Sequence, residues 1–229
     1  MAIQPLKNRP SPVAPGEPPD AELIARARDG EAAAFEQLMR RYNQRIFRAA
    51  RSVVRNDSEA EDVVQETFVR AYRHLASFEE RSSLGTWLTR IAVHEALARV
   101  RRSRLFDGEG ELPLARSAQA GPEEQVSSRE LRSLLVAAID SLPEGLRTVF
   151  VLRDVEGLST LEACEVLELT PEAVRVRLHR ARAALRRGID EELGTEVLGL
   201  FAFAGARCDR TVARVMKKLG LALAPQRSS

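Results

Sequence analysis

Apolar positions recur at spacings of three and four along most of this chain, and the runs are long enough for helices rather than strands. Phe35, Leu38, Met39, Tyr42, Ile46, Ala49, Ala50, Val53 and Val54 form one such stripe, which predicts a long amphipathic helix interrupted at Asn56 and Asp57. Asp20 is placed to cap a short helix ahead of it, beginning at Ala21. Ser58 followed by Glu61 reads as a capping box for the next helix. Its buried stripe would be Val64, Phe68, Ala71 and Leu75, and its outer side carries Glu59, Asp62, Glu66 and Arg70. After a loop at about 76–83, Leu84, Trp87, Leu88, Ile91 and Ala92 open a helix that runs into Arg99, Arg101, Arg102 and Arg104.

Residues 105–124 carry Gly, Pro and mixed charge without a sustained period, which predicts a linker. Beyond it, Leu131, Leu134, Leu135, Ala138, Ile139 and Leu142 share one helical face. Pro143 suits the first turn of a following helix whose buried side is Leu146, Val149, Phe150 and Leu152. A second capping box, Ser159 and Glu162, opens a short helix to about Leu167, and Glu168-Leu169-Thr170 makes a tight connection. Thr170 can cap the next helix with Pro171 in its first position. There Val174, Leu178, Ala181 and Leu185 face inward, while Arg175, Arg182 and Arg186 line another side beside Arg177 and Arg180. Ala163 is small enough to let the two helices cross closely. This is the pattern of a helix-turn-helix with a basic second helix.

The predicted fold class is therefore all-α: two small helical domains, 20–104 and 125–188, joined by a flexible linker, the second containing the helix-turn-helix. The Pro-rich stretch 1–19 reads as a disordered arm. Residues 189–229 read as a helical extension, with three readings open: packing on the second domain, a reversible brake released by a partner or by a polymerase, or contact with a membrane or an inhibitory protein. In it Leu193, Val197 and Leu200 continue a helical period. Asp209 could cap a last helix in which Val212, Val215, Met216 and Leu219 share a face and Lys217 and Lys218 stay in solvent.

Composition narrows the chemistry. The net charge is only +2, yet arginines cluster at 99–104 and 175–187 and acids at 57–66, a pattern suited to directed contact with a polyanion such as nucleic acid. Arg matches phosphates and the bidentate edge of guanine. A loop, an aromatic and an Arg run lie together around Trp87, as capture of unpaired bases requires, although a lone Trp also serves as core. Cys164 and Cys208 read as free thiols of a reducing compartment, and no secretory leader or long apolar run is present, so a cytoplasmic protein without stable membrane insertion is expected. His74, His94 and His179 have no ligand spacing, and no phosphate-binding glycine loop occurs. Neither an enzyme nor a bound metal or cofactor is expected.

Three ordered segments resemble the extracytoplasmic-function group of the sigma-70 family. AEDVVQETFVRAYRHLASF, within Asp57 to Phe78, resembles the polymerase-binding segment, and SSLGTWLTRIAVHEALARVRRSR, Ser82 to Arg104, the segment that melts and reads the −10 element. LPEGLRTVFVLRDVEGLSTLEACEVLELTPEAVRVRLHRARAALRR, Leu142 to Arg187, resembles the −35-binding domain. The resemblance implies that Asp62, Gln65, Glu66, Phe68 and Arg70 dock on the β′ clamp coiled coil of core RNA polymerase, whose β flap is a further partner. It implies that Ser82, Ser83, Trp87, His94, Arg99, Arg101, Arg102 and Arg104 hold the melted −10 strand. Thr170, Pro171, Glu172, Arg175, Val176, Arg177, Arg180 and Arg182 would meet −35 promoter DNA, and an anti-sigma factor is a further candidate partner. The chain departs from the family's pattern at His94, where Asn is usual, at Ala98, where Asp is usual, and at Arg175-Val176-Arg177, where Lys-Ser-Arg is common. A stand-alone helix-turn-helix regulator with an N-terminal sensing domain, or a helical protein-binding adaptor, are the alternative readings of the same pattern.

Overall fold

The computed structural model describes residues 17–107, 135–186 and 206–223, and these are helical with short connections. Helices α1 (Asp20–Arg28), α2 (Ala32–Val54), α3 (Asp57–His74) and α4 (Leu84–Asp107) pack as one bundle around α2. The helical stretch 135–140 is α5; α6 (Glu144–Phe150), α7 (Thr160–Leu167) and α8 (Pro171–Arg186) form the second domain with it. A last helix, α9 (Ala206–Leu219), lies on α3 and α2 of the first domain, not on the second domain as one of the expected readings has it, because Val212, Val215 and Met216 join the first domain's core. Most of the arm, the linker from 108 on, Leu131, Leu134 and the stretch with Leu193, Val197 and Leu200 fall outside the described residues.

Several helix starts differ from the expected ones. Asn56, not Ser58, caps α3: its side chain accepts the Glu59 N–H at 3.1 Å, and Ser58 already lies inside the helix. Asp20 makes no cap bond; it sits in the first turn of α1 and its carboxylate accepts from Arg41 and from the Tyr42 hydroxyl. Pro143 is the residue before α6 rather than within it. Asp209 likewise lies inside the first turn of α9, where it meets Arg40 at 2.6 Å. For Asp20 and Asp209 a remote arginine holds the carboxylate that the spacing assigns to a cap.

The first domain's core is the predicted stripes closed on one another. Phe35, Leu38, Met39, Ile46, Val64, Phe68 and Ala71 are all buried, with Phe35 set edge-on to Phe68 and Tyr72. Each such large side chain contributes about 1.5–3 kcal/mol before entropy is counted. Gly85 lets α4 approach α2 closely, because a Cβ there would stand 2.7 Å from an Arg45 nitrogen. The helix α6 runs on into a wide π-turn, Val151–Val155, closed by the Glu156 N–H on the Val151 carbonyl at 2.9 Å. That turn straddles two cores: Leu152 packs with the first domain, Val151 and Val155 with the second.

The two domains are therefore in contact. Arg147 is buried and donates to the Ser52 and Val53 carbonyls at the end of α2, at 2.5 and 3.2 Å, as well as to Leu142 at 2.8 Å. Burial pushes its guanidinium down to about 10, with Arg55 adding to the effect and Asp140 opposing it.

Candidate functional site

On α4, Ser83 is a helix cap: its hydroxyl accepts the Thr86 N–H at 3.1 Å and meets the Thr86 hydroxyl at 2.8 Å. The loop before it is tied down by Arg28, which donates to the carbonyls of Leu75 at 3.1 Å and Phe78 at 2.5 Å. Phe78 in turn stacks at a tilt on Trp87, with ring centroids 4.8 Å apart. Trp87 is half-buried and packs against the first domain's core.

Along α4 from there, Trp87, Arg90, Ile91 and His94 join Arg70 and His74 of α3 around an open cleft of about 390 Å³. Cations and an aromatic around one cleft suit a flat anionic ligand such as an unpaired nucleotide. Arg70, which the resemblance puts on a protein-docking face, lines this cleft and pairs with Glu95 of α4 at 2.9 Å. His74 and Arg90 carry no signal at the level of single-helix spacing, because their common ground is the gap between α3 and α4.

The arginine run divides by role. Arg99 faces Asp62 at 3.5 Å and Glu95 at 3.7 Å, and Arg102 also reaches Glu95 at 3.3 Å. Arg104 crosses to Glu144 of α6 at 3.2 Å, and Arg101 is exposed. Ser82 is half-buried before the cap. The second domain covers part of this surface: Glu162 accepts from Thr86 at 2.9 Å, and Glu168 lies 3.1 Å from Arg90 and 3.7 Å from His94. Burial opposes ionisation of Glu162, but bonds from Ser159 and Thr86 outweigh it and hold the carboxyl below its ordinary range.

The helix-turn-helix forms as the caps dictate. Ser159 and Glu162 exchange both capping-box bonds, at 2.8 and 3.1 Å, and Thr170 accepts the Ala173 N–H at 3.2 Å ahead of Pro171. Glu168 supplies the left-handed residue of the turn, with φ 54°. Val174, Leu178, Ala181 and Leu185 are buried as expected. Pro171, Glu172, Arg175, Val176, His179 and Arg180 form the exposed face of α8. Arg182 does not belong to that face: it makes a two-point bond to Asp154 at 2.7 and 2.6 Å and locks α8 to the π-turn. Arg177 is half-buried over Gly145, where a Cβ would stand 3.2 Å from its nitrogen.

On α3, Asp62 is exposed, Gln65 and Glu66 are half-buried and Phe68 is fully buried against Phe35. Phe68 is a core residue and offers nothing to a partner, as its place in the apolar stripe requires. Among the described residues the Gln65 amide nitrogen is buried without a hydrogen-bond partner. Glu66 meets Lys218 of α9 in a surface contact at 2.8 Å, and both Lys217 and Lys218 are exposed, as the spacing predicts. No group of His, Cys, Asp and Glu suited to a metal ion occurs among the described residues, and no helix there is long and apolar enough to cross a membrane.

These helices match known proteins over both domains. Family models described as Sigma-70 region 2 and Sigma-70, region 4 match residues 38–106 and 132–185. The chain is 34% identical to the RNA polymerase sigma-H factor of Pseudomonas aeruginosa over 184 residues, covering 74% of this chain and 93% of that protein. It is 33% identical to the ECF RNA polymerase sigma factor SigW of Bacillus subtilis over 174 residues, covering 72% and 93% respectively. The solved structure of CnrH, a sigma factor of Cupriavidus metallidurans, in complex with the cytosolic domain of CnrY aligns with a TM-score of 0.54 at 32% identity, over 73% of this chain and 95% of that one. From the caps of the helix-turn-helix to the arginines of α4, the chain belongs to the sigma-70 family, in its group of ECF RNA polymerase sigma factors.

Proposed function

We propose that this chain binds core RNA polymerase, carries it to promoters through −10 and −35 elements and helps open the duplex. One observation carries the reading: a single chain holds both a cleft of cations and an aromatic on α4 and an exposed arginine face on α8. The cleft suits an extruded base of the −10 strand, with Trp87 for stacking and Arg90 and His94 for polar contact. The α8 face suits the major groove, with Arg175 and Arg180 at phosphates or guanine edges. The protein supplies recognition and strand capture in the cytoplasm, and the bond-making chemistry is polymerase's.

In this reading the acids at Asp62 and Glu66 dock on polymerase. The contacts of Glu162 with Thr86 and of Glu168 with Arg90 and His94 belong to a closed state of the free protein, because the Glu168 carboxylate competes with phosphate for Arg90 and His94. The domains then part when promoter DNA is engaged at two elements. An anti-sigma factor is a further candidate partner, and CnrH itself was solved with a protein partner, the cytosolic domain of CnrY.

The test is co-purification with core polymerase followed by runoff transcription from a library of promoters. Retention of core and a shared −10 and −35 pattern among the transcripts is the expected result. Duplex binding without retention of core would instead favour a stand-alone regulator.

A further inference from the structure

The helix α9 lies outside the segments shared with the family, since the region 4 match ends at residue 185. It is nevertheless fully docked. Val212, Val215 and Met216 are buried in the first domain's core, and Thr211 beside them is buried too. Gly220 ends the helix with φ 70°, and the Leu221 N–H returns to the Met216 carbonyl at 2.9 Å.

The rim of α9 is a set of ion pairs to α2 and α3. Arg207 donates to Glu61 at 2.8 Å and to Asp57 at 3.2 Å, and its guanidinium also lies 4.7 Å from the Phe47 ring centroid. Lys218, near the far end of α9, meets Glu66 at 2.8 Å. Arg40 of α2 closes the other edge on Asp209. A basic, amphipathic helix therefore already occupies one flank of the acidic helix α3, and it neutralises three of that helix's carboxylates.

We propose that α9 is a built-in competitor of core polymerase, seated on the α3 face until polymerase displaces it. This rests on the reading that α3 carries the docking acids. A partner that uses Gln65 and Glu66 must bring its own cationic groups to the place where Lys218 sits, and the two cations then compete for one carboxylate. The buried, unpartnered Gln65 amide nitrogen fits a side chain held in a state other than the one in which it is used. The occupant is this chain's own segment, its apolar side supplies the hold, and its basic rim imitates the partner's.

The experiment uses the full chain. Arg40→Cys with Asp209→Cys, in a background of Cys164→Ser and Cys208→Ser, allows α9 to be tethered to α2 by a disulfide or a short bis-thiol cross-linker. The tethered protein should bind core polymerase at least about tenfold more weakly than the same protein after reduction or without linker, and amide exchange of 206–219 in the intact protein should accelerate on forming holoenzyme. Equal affinity with and without the tether, or unchanged exchange of 206–219 in holoenzyme, overturns the proposal. Asp62→Lys in the full chain separates the two ideas. If it abolishes core binding while the tethered protein still binds, α3 docks polymerase and α9 does not compete. If neither change affects binding, the docking reading fails and takes the proposal with it.

Discussion

Arg51 of α2 and Asp140 of α5 make a two-point ion pair, 3.0 and 2.8 Å, with side chains 1% and 9% exposed. The pair joins residues 89 apart in the chain and sits at the contact between the two domains, next to the bonds from Arg147 to the end of α2. Arg51 also reaches Asp57 at 2.8 Å, so it remains paired at one edge if Asp140 is removed. Asp140→Ala should destabilise the protein by about 3 kcal/mol, the lower end for breaking a buried pair. Denaturant unfolding measures this, and small-angle scattering should show a more open particle. A compact particle of unchanged stability would mean that the pair is not what holds the domains together.

Arg175 and Arg180 should behave unlike Arg182. Replacing either of the first two by Ala should weaken binding of duplex −35 DNA and reduce the slope of log affinity against log salt by about 0.9 for each phosphate that is no longer neutralised. Arg182→Ala should leave that slope in place but lower stability, because Asp154 would lose its two bonds and stay buried. Salt titrations of DNA binding alongside thermal melts distinguish the two behaviours.

Arg90→Ala should impair opening of the promoter rather than first binding to it. The side chain lines the α4 cleft and is partly exposed, so its removal leaves the core intact. Cationic contact to the face of an unpaired base is worth about 0.5–2 kcal/mol, so a decrease of about three- to tenfold in open-complex formation is expected. Permanganate footprinting of holoenzyme on a promoter reads it, and an unchanged footprint at unchanged rate would remove Arg90 from the capture site.

The Glu66 carboxyl is held below its ordinary range, first by the bond from Lys218, with burial opposing and Arg70 adding to the hold. A carboxyl lowered on folding contributes stability that is fully present above its unfolded value and lost as pH falls through its folded one. The Lys218 link should therefore be intact at neutral pH and weaken only below the ordinary carboxylate range. Exchange protection of 206–219, corrected for the intrinsic pH dependence, should fall in that acidic window, and Glu66→Gln should remove the corresponding step.

The sequence by itself determined what is local. Caps and turns are made between neighbours, so Ser159 with Glu162 and Thr170 ahead of Pro171 are legible from spacing, and the buried stripes of α2, α3 and α8 follow from helical period. The same logic misses at Asn56: the spacing reads Ser58 as the cap of α3, whereas the Asn56 side chain takes the Glu59 N–H and Ser58 falls inside the helix. Tertiary structure decided which charges are spent inside the molecule. Arg182 looks like its neighbours on α8 until folding brings Asp154 to it, and Glu66 looks solvated until Lys218, 152 residues away, arrives. The cleft shared by His74, Arg90 and His94 belongs to two helices at once, so no single helix's period could contain it. Apolar faces are fixed by a helix's own repeat, whereas the partner of a long charged side chain depends on which distant segment the packing of those faces brings within reach.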